Sequence, residues 1–225
     1  MPMRAPLRRL TLAAVAAVVA LGASPARADD APKITTAAIG EEMQQNYRGE
    51  RTTAFVFVAL GTASAGTGAV LVATQRDDFA RGLGWSMITL GGLEALGAAF
   101  YAFQVEAELT HYTETIARDP AQFKREEGPH IHGTVSRFFY YRLSEALLAL
   151  AGAGVATYGF ASGRDLWKGV GIGVAGEGLA FLALDSIGQS RAVEYEDHVR
   201  RYEPTVAFQV GGGERPWSLG LGGRF

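Results

Sequence analysis

Hydrophobic and polar positions are strongly segregated along the chain. Residues 52–74 contain no charged side chain. The apolar stretch 82–105 contains a single charged residue, Glu94. Two further apolar stretches, 138–160 and 166–187, carry a few ionisable groups. Each of the four is about as long as the roughly 20 residues that an α-helix needs to cross a bilayer. The pattern therefore predicts four transmembrane helices.

Short connectors join these helices into two hairpins, 52–105 and 138–187. The connectors read "QRDDFAR" and "ASGRD", and links this short force consecutive helices to run antiparallel. A buried helical bundle with fewer true spans is the alternative, but its helices would carry charged stripes, and 52–74 carries none. We therefore expect an all-α membrane protein with four transmembrane helices arranged as two hairpins.

Three short motifs recur in the second hairpin at a nearly constant distance from their counterparts in the first. They are "GTGAV" at 66 and "GAGVA" at 152, "RGLG" at 81 and "KGVG" at 168, and "VEAE" at 105 and "VEYE" at 193. The distances are 86, 87 and 88 positions. This recurrence indicates a duplicated hairpin, with the two copies related by an axis along the membrane normal.

The amino end, residues 1–28, is typical of a secretory signal peptide. Three arginines precede an apolar run at 10–21, and small residues follow at Ala26 and Ala28. As a helix the run spans about 18 Å, less than the roughly 30 Å of a hydrocarbon core. We expect cleavage after Ala28; an uncleaved signal anchor is the alternative.

Cleavage would place segment 29–51 outside the cytoplasm and so orient the helices. The central loop 106–137 and the carboxy-terminal segment 188–225 would share that side. The short connectors on the opposite side carry Arg76, Arg81, Arg164 and Lys168. The 32 residues of the central loop have four Lys/Arg and six Asp/Glu, a lower density of basic residues that agrees with the positive-inside tendency. The sequence thus predicts a multi-pass inner-membrane protein of a Gram-negative-type cell, with both mature termini in the periplasm.

Five ionisable residues within or near the spans form a predicted polar cluster: Glu94, Arg142, Glu145, Glu177 and Asp185. A charge at mid-bilayer costs at least about 2.5 kcal/mol, so each should face the protein interior or a wet cavity. We expect Arg142 to pair with Glu145 or Asp185. Glu94 and Glu177 have no basic residue at their level, and three interpretations of them are open. They are protonated and join helices by hydrogen bonds, they line a proton or cation path, or they lie nearer the headgroups.

The fourth span contains the spacing G-x-x-x-G at Gly169 and Gly173, which allows helices to approach closely in lipid. Two interpretations remain open. The motif packs the four helices of one chain against each other, or it forms the interface of a homo-oligomer.

The central loop holds two histidines, His130 and His132, in a segment after Pro129 that we expect to be extended. Alternation along a strand would direct both imidazoles to one side, where they could bind a divalent metal. Additional ligands would come from three nearby residues: His111, Glu126 and Glu127. Ordinary loop histidines and a pH-sensitive contact are the alternatives. Asp119 and Pro120 predict the start of a short helix in the same loop.

Beyond the fourth span, the helix should continue and end before Pro204. The last 20 residues, 206–225, alternate apolar and polar positions around a Gly-rich turn, which predicts a small β-hairpin. The final ten residues, ending in Phe225, resemble the last strand of outer-membrane barrel proteins. Two strands cannot close such a barrel, which needs eight or more.

Composition and motifs narrow the function. The 225-residue chain has no cysteine, which excludes disulfides and thiolate chemistry, and its net charge of -2 gives no basic surface for nucleic acid. No nucleophile elbow, zinc-protease motif or phosphate-binding loop is present, so we expect neither an enzyme nor a cofactor.

The lipid bilayer is one expected partner. The preferred interpretation is a structural or accessory subunit that presents its periplasmic loop and tail to a protein partner; the alternatives are a small proton- or cation-coupled transporter or channel, and a periplasmic metal or pH sensor.

Overall fold

The computed structural model describes residues 34–204, which form four long helices. They are α1 (Thr36–Thr74), α2 (Asp78–Arg118), α3 (Pro120–Ser162) and α4 (Asp165–Arg201). The prediction of four apolar helices is confirmed for this part of the chain. The predicted signal peptide at 1–28 and the predicted β-hairpin at 206–225 lie outside the described residues.

Local sequence explains where the helices begin and end. The side chains of Thr35, Asp77 and Asp119 accept hydrogen bonds from the first backbone N–H groups of α1, α2 and α3. α3 ends at Gly163, whose φ of 67° lies in the left-handed region that glycine adopts without strain. Asp119 alone separates α2 from α3, so these two helices reverse direction within one residue.

The helices are 37 to 43 residues long, about 55 to 65 Å, or roughly twice the thickness of a hydrocarbon core. Segment 106–137, which we expected to form a loop that contains a short helix, is helical on both sides of Asp119. The helix that begins at Pro120 was expected to be short, and it continues to Ser162. The extended segment expected after Pro129 is also wrong, since Pro129 lies inside α3 and the helix packs on the core on both sides of it. The end of α4 before Pro204 is confirmed.

Glycines set the closest helix contacts. α1 packs along α2, α3 packs along α4, and α2 contacts α4 between the two hairpins. A side chain at Gly82 would collide with the backbone of Leu166 in α4, and one at Gly169 with the backbone of Phe79 in α2. Gly173 lies against Ser86 of α2. Both glycines of the G-x-x-x-G spacing thus face a helix of the same chain.

The contacts of the second hairpin repeat those of the first. α1 and α3 begin 84 positions apart, and α2 and α4 begin 87 positions apart. At these distances, the contact of Gly84 with Gly68 corresponds to that of Gly171 with Gly152. The structure therefore matches Gly152 with Gly68, two residues from the position that the recurring sequence motif indicated.

Exposed aromatic side chains form two bands around the bundle. One band, near the hairpin connectors, comprises Trp85, Tyr158, Phe160 and Trp167. The other comprises Phe100, Phe103, Phe139, Tyr140 and Tyr141. From Tyr140 to Tyr158 the rise along α3 is about 27 Å, close to the thickness of a hydrocarbon core. Aromatic residues favour both membrane interfaces, and all four helices are long and apolar enough to cross, so the bands mark the limits of a membrane-spanning half.

Beyond the second aromatic band, the helices continue as a bundle with its own apolar core. We call this part, residues 36–51, 105–137 and 188–204, the water-facing end. Its buried core is Ile39, Met43, Tyr47, Val105, Tyr112, Ile116, Phe123, Ile131, Ala192, Tyr195, Val199 and Tyr202. In the membrane half, by contrast, the large apolar side chains are mostly exposed to the surroundings, as lipid requires.

Candidate functional site

The five ionisable residues predicted to cluster within the membrane half do come together, and Ser64 of α1 joins them. We call these six residues the intramembrane cluster. The Ser64 hydroxyl donates to the Glu177 carboxyl, and the Glu145 and Asp185 side chains lie near enough to interact electrostatically. Glu94 lies near enough to Glu177 and Asp185 to interact with both electrostatically. Carboxyl groups from three helices thus share one region of the bundle interior.

Arg142 does not make the ion pair that the sequence suggested. Its Nη1 donates to Gln189 Oε1 at 2.6 Å, and among the described residues no carboxylate lies within salt-bridge distance of it. Three buried polar atoms of the cluster have no hydrogen-bond partner among residues 34–204: Arg142 Nε, Glu94 Oε1 and Glu145 Oε2. Unpaired buried polar atoms are costly, so this region has unused capacity to bind a proton, a cation or water.

The chemistry of the cluster follows from its composition. Four carboxyl groups accompany a single guanidinium, so the cluster would carry excess negative charge if all four acids were ionised. In a low-dielectric interior, excess negative charge is relieved by protonation or by a bound cation. The arrangement is suited to holding exchangeable protons or a small cation.

Most of the polar side chains that continue from the cluster lie towards the water-facing end; on the connector side the described interior holds the buried hydroxyl of Ser86, which donates to the Leu83 carbonyl. Towards the water-facing end come Gln189, the hydrogen-bonded pair Thr53 and Arg191, and then Glu50, which accepts from Tyr101 at 2.8 Å. Towards the connectors, the helices are in backbone contact through their glycines, Gly68 with Gly84 and Gly82 with Leu166. The described interior is thus polar on one side of the cluster and tightly packed on the other.

A second polar group, which the sequence did not reveal, lies in the water-facing end. Glu127 is 0% exposed, and the Tyr47 hydroxyl donates to both of its carboxyl oxygens at 3.1 Å. Tyr112 and Tyr195 also lie beside this carboxyl group. Burial raises the pKa of Glu127 to about 7, although His130 and the phenol groups oppose that rise. We call Glu127 and these three tyrosines the tyrosine cage.

A sequence signal for the cage exists. Phe123, Glu127 and Ile131 are four residues apart, so they share one face of a helix, and Phe123 and Ile131 are apolar. Interpreting 106–137 as a loop concealed this periodicity and placed Glu127 among the candidate metal ligands.

The structure separates His130 from His132. His130 Nε2 lies 3.5 Å from Glu108 of α2, and this interaction raises the pKa of His130. His132 Nδ1 lies 2.7 Å from Glu196 of α4. Positions two apart on a helix point in different directions, and residues 34–204 contain no group of three or more His, Asp or Glu arranged to hold a metal ion.

The helices, aromatic bands and polar clusters define a multi-pass helical membrane protein. No protein-family model, curated protein or solved structure matches the chain.

Proposed function

We propose that this chain is a non-enzymatic membrane protein that takes up protons or small cations from its water-facing end and carries them across the membrane. The intramembrane cluster supports this function, because it brings Glu94, Glu145, Glu177 and Asp185 together with one guanidinium in the membrane half. Intramembrane acids of this kind line proton and ion paths in pumps and transporters.

The one-sided polar interior favours alternating access over an open channel. Ions reach the cluster from the water-facing end, and the glycine contacts near the connectors close the other side. Release on that side requires the two hairpins to move relative to each other. The repeated contacts of the hairpins support an origin by duplication, a common design of transporters in which one half rocks against the other.

We propose further that the protein lies in the inner membrane with its water-facing end in the periplasm. The export signal predicted at 1–28 supports this orientation. The four basic residues of the connectors also support it, since such residues favour the cytoplasmic side: Arg76, Arg81, Arg164 and Lys168.

A flux measurement on the purified protein in liposomes tests the transport function. Under imposed gradients of protons, Na⁺ and K⁺, the wild-type protein is expected to carry at least one of these ions. Glu94→Gln and Glu177→Gln keep the shape of each side chain but remove its charge, and each is expected to lower the initial rate at least tenfold.

Glu114→Gln is the matched control, because Glu114 is exposed in the water-facing end and pairs with Arg118. It should leave the rate unchanged. Equal rates in all variants, or a wild-type rate equal to that of protein-free liposomes, would contradict transport. A protein without flux would favour the accessory role, in which the water-facing end binds a partner. This end extends about 20 Å beyond the aromatic band along α2.

A further inference from the structure

An open groove of about 440 Å³ lies on the outer surface of the second hairpin, in the membrane half. It is lined by α3 and the start of α4, through Ala151, Gly154, Val155, Tyr158 and Trp167. We call it the connector groove, because Tyr158 and Trp167 belong to the aromatic band near the connectors. From Tyr158 to Ala151 the rise along α3 is about 10 Å, directed towards the middle of the membrane half.

Gly154 keeps the groove open, because a Cβ at this position would meet nothing within 4 Å. The repeat distance of α1 and α3 matches Gly154 with Val70 of the first hairpin. Val70 is 59% exposed, so a branched side chain occupies the surface that Gly154 leaves free. The two aromatic walls are matched with smaller residues of the first hairpin, Tyr158 with Thr74 and Trp167 with Ala80. The groove is therefore a feature in which the second hairpin departs from the first.

The size and lining of the groove suit a hydrocarbon chain. Its volume equals about fifteen groups of the size of a water molecule, at roughly 30 Å³ each. Its side chains are hydrocarbon apart from the Tyr158 hydroxyl and the Trp167 N–H, which lie in the aromatic band. An apolar groove that opens to the membrane half offers its surface to an acyl chain.

A cation without an acidic partner lies at the connector end of the groove. The Arg164 Cζ is 5.8 Å from the centroid of the Tyr158 ring, and stacking on a ring leaves the guanidinium N–H donors free. Within residues 34–204, no carboxylate lies within salt-bridge distance of Arg164. Lys168 is paired with Asp165, so Arg164 supplies the excess positive charge of this connector. The equivalent residue of the first hairpin is Asp77, an acid that caps α2.

The two features together define an amphiphilic ligand. A guanidinium matches the geometry of a phosphate group and binds it through paired hydrogen bonds. The level of the aromatic band is also where lipid headgroups lie. We propose that the connector groove binds an anionic phospholipid, with its phosphate at Arg164 and one acyl chain along Gly154. This site is separate from the intramembrane cluster and does not depend on ion transport.

Quenching of tryptophan fluorescence by brominated lipids tests the site on the full chain. One variant keeps Trp167 as its sole tryptophan and another keeps Trp85, with phenylalanine at the other two positions, which include Trp217. Each is placed in phosphatidylcholine nanodiscs that contain a rising fraction of brominated phosphatidylglycerol or of brominated phosphatidylcholine. For Trp167, half-maximal quenching should need at least fivefold less brominated phosphatidylglycerol than brominated phosphatidylcholine.

Trp85 is the matched control for the lipid that surrounds any membrane protein. It lies in the same aromatic band, is 52% exposed against 41% for Trp167, and follows the exposed Arg81 by one helical turn. The two brominated lipids should quench Trp85 equally. Equal quenching of Trp167 by the two lipids, or the same preference at Trp85, would overturn the proposal.

Variants of the protein that keeps Trp167 locate the binding. Gly154→Val introduces the residue of the first hairpin and fills the groove, and Arg164→Gln removes the cation; each should abolish the preference for phosphatidylglycerol. Gly66→Val, at an exposed glycine with nothing within 4 Å, and Arg76→Gln, in the other connector, are the controls and should keep it. If Gly154→Val or Arg164→Gln fails to fold, the other decides alone. A preference retained in either folded variant, or lost in the controls as well, would overturn the assignment.

Discussion

Glu127 is a fully buried carboxyl group in the water-facing end, and its environment makes stability depend on pH. Its pKa in the folded protein is about 7, above the ordinary value of 4.5, so between these values the folded state binds a proton more tightly than the unfolded state. The stabilisation is complete below about pH 4.5 and is lost as the pH rises through 7.

Glu127→Gln keeps the shape of the side chain but cannot ionise. We expect the free energy of unfolding of this variant to fall less than that of the wild type between pH 5 and pH 8. Thermal unfolding followed by circular dichroism in detergent measures both. The gain at pH 8 should reach up to about 3 kcal/mol, since one pKa unit corresponds to about 1.4 kcal/mol. Glu126→Gln, at an exposed neighbouring position, should give no such gain; parallel pH profiles of wild type and Glu127→Gln would refute the assignment.

Sequence reasoning at the residue scale succeeded where a charge interrupted an apolar run. Glu94 and Glu177 were identifiable in this way, and the structure brings them together. Ser64 was not identifiable, because a hydroxyl in a Gly- and Ala-rich span resembles ordinary packing until its partner is known.

At the scale of elements, the sequence located the apolar segments of the helices but not their full length. Segment 29–51 lies outside the four predicted spans, because charged residues surround its apolar ones. Ile39, Met43 and Tyr47 nevertheless recur every four residues, which is the spacing of one helical face, and all three are buried. The core of the water-facing end supplies the packing that extends α1 beyond the membrane.

The glycines that join α2 to α4 give a prediction about helix packing. A Cβ at Gly82 would collide with the backbone of Leu166, whereas one at Gly92 would meet nothing within 4 Å. Alanine improves helix propensity by about 1 kcal/mol at either position. A difference in stability between the two variants therefore reports the contact between α2 and α4. We expect Gly82→Ala to lower the midpoint of thermal unfolding by the equivalent of about 1–3 kcal/mol and Gly92→Ala to leave it unchanged or raise it. Equal midpoints would show that α2 and α4 are not in close contact.

At the scale of the whole molecule, the division into a membrane half and a water-facing end unites the observations. Apolar length alone predicted four crossings, but it could not show where the lipid ends, because the helices continue without interruption. The aromatic bands and the change from exposed to buried apolar side chains place that limit near Tyr140. Both ends of the described chain then lie on one side, where Ile34 and Tyr202 pair in a single parallel bridge.

Single cysteines can test this division, because the natural chain has none. Arg118→Cys lies at the tip of the water-facing end, Arg76→Cys lies in a connector, and Val70→Cys lies on a lipid-facing surface. With a membrane-impermeant maleimide applied to cells with a permeabilised outer membrane, Arg118→Cys should react at once and Arg76→Cys only after lysis. Val70→Cys should react only after denaturation. Labelling of positions 118 and 76 from the same side would contradict the four crossings. Reversed labelling would retain the crossings but place the water-facing end in the cytoplasm. The proposed ion uptake would then begin from the cytoplasm.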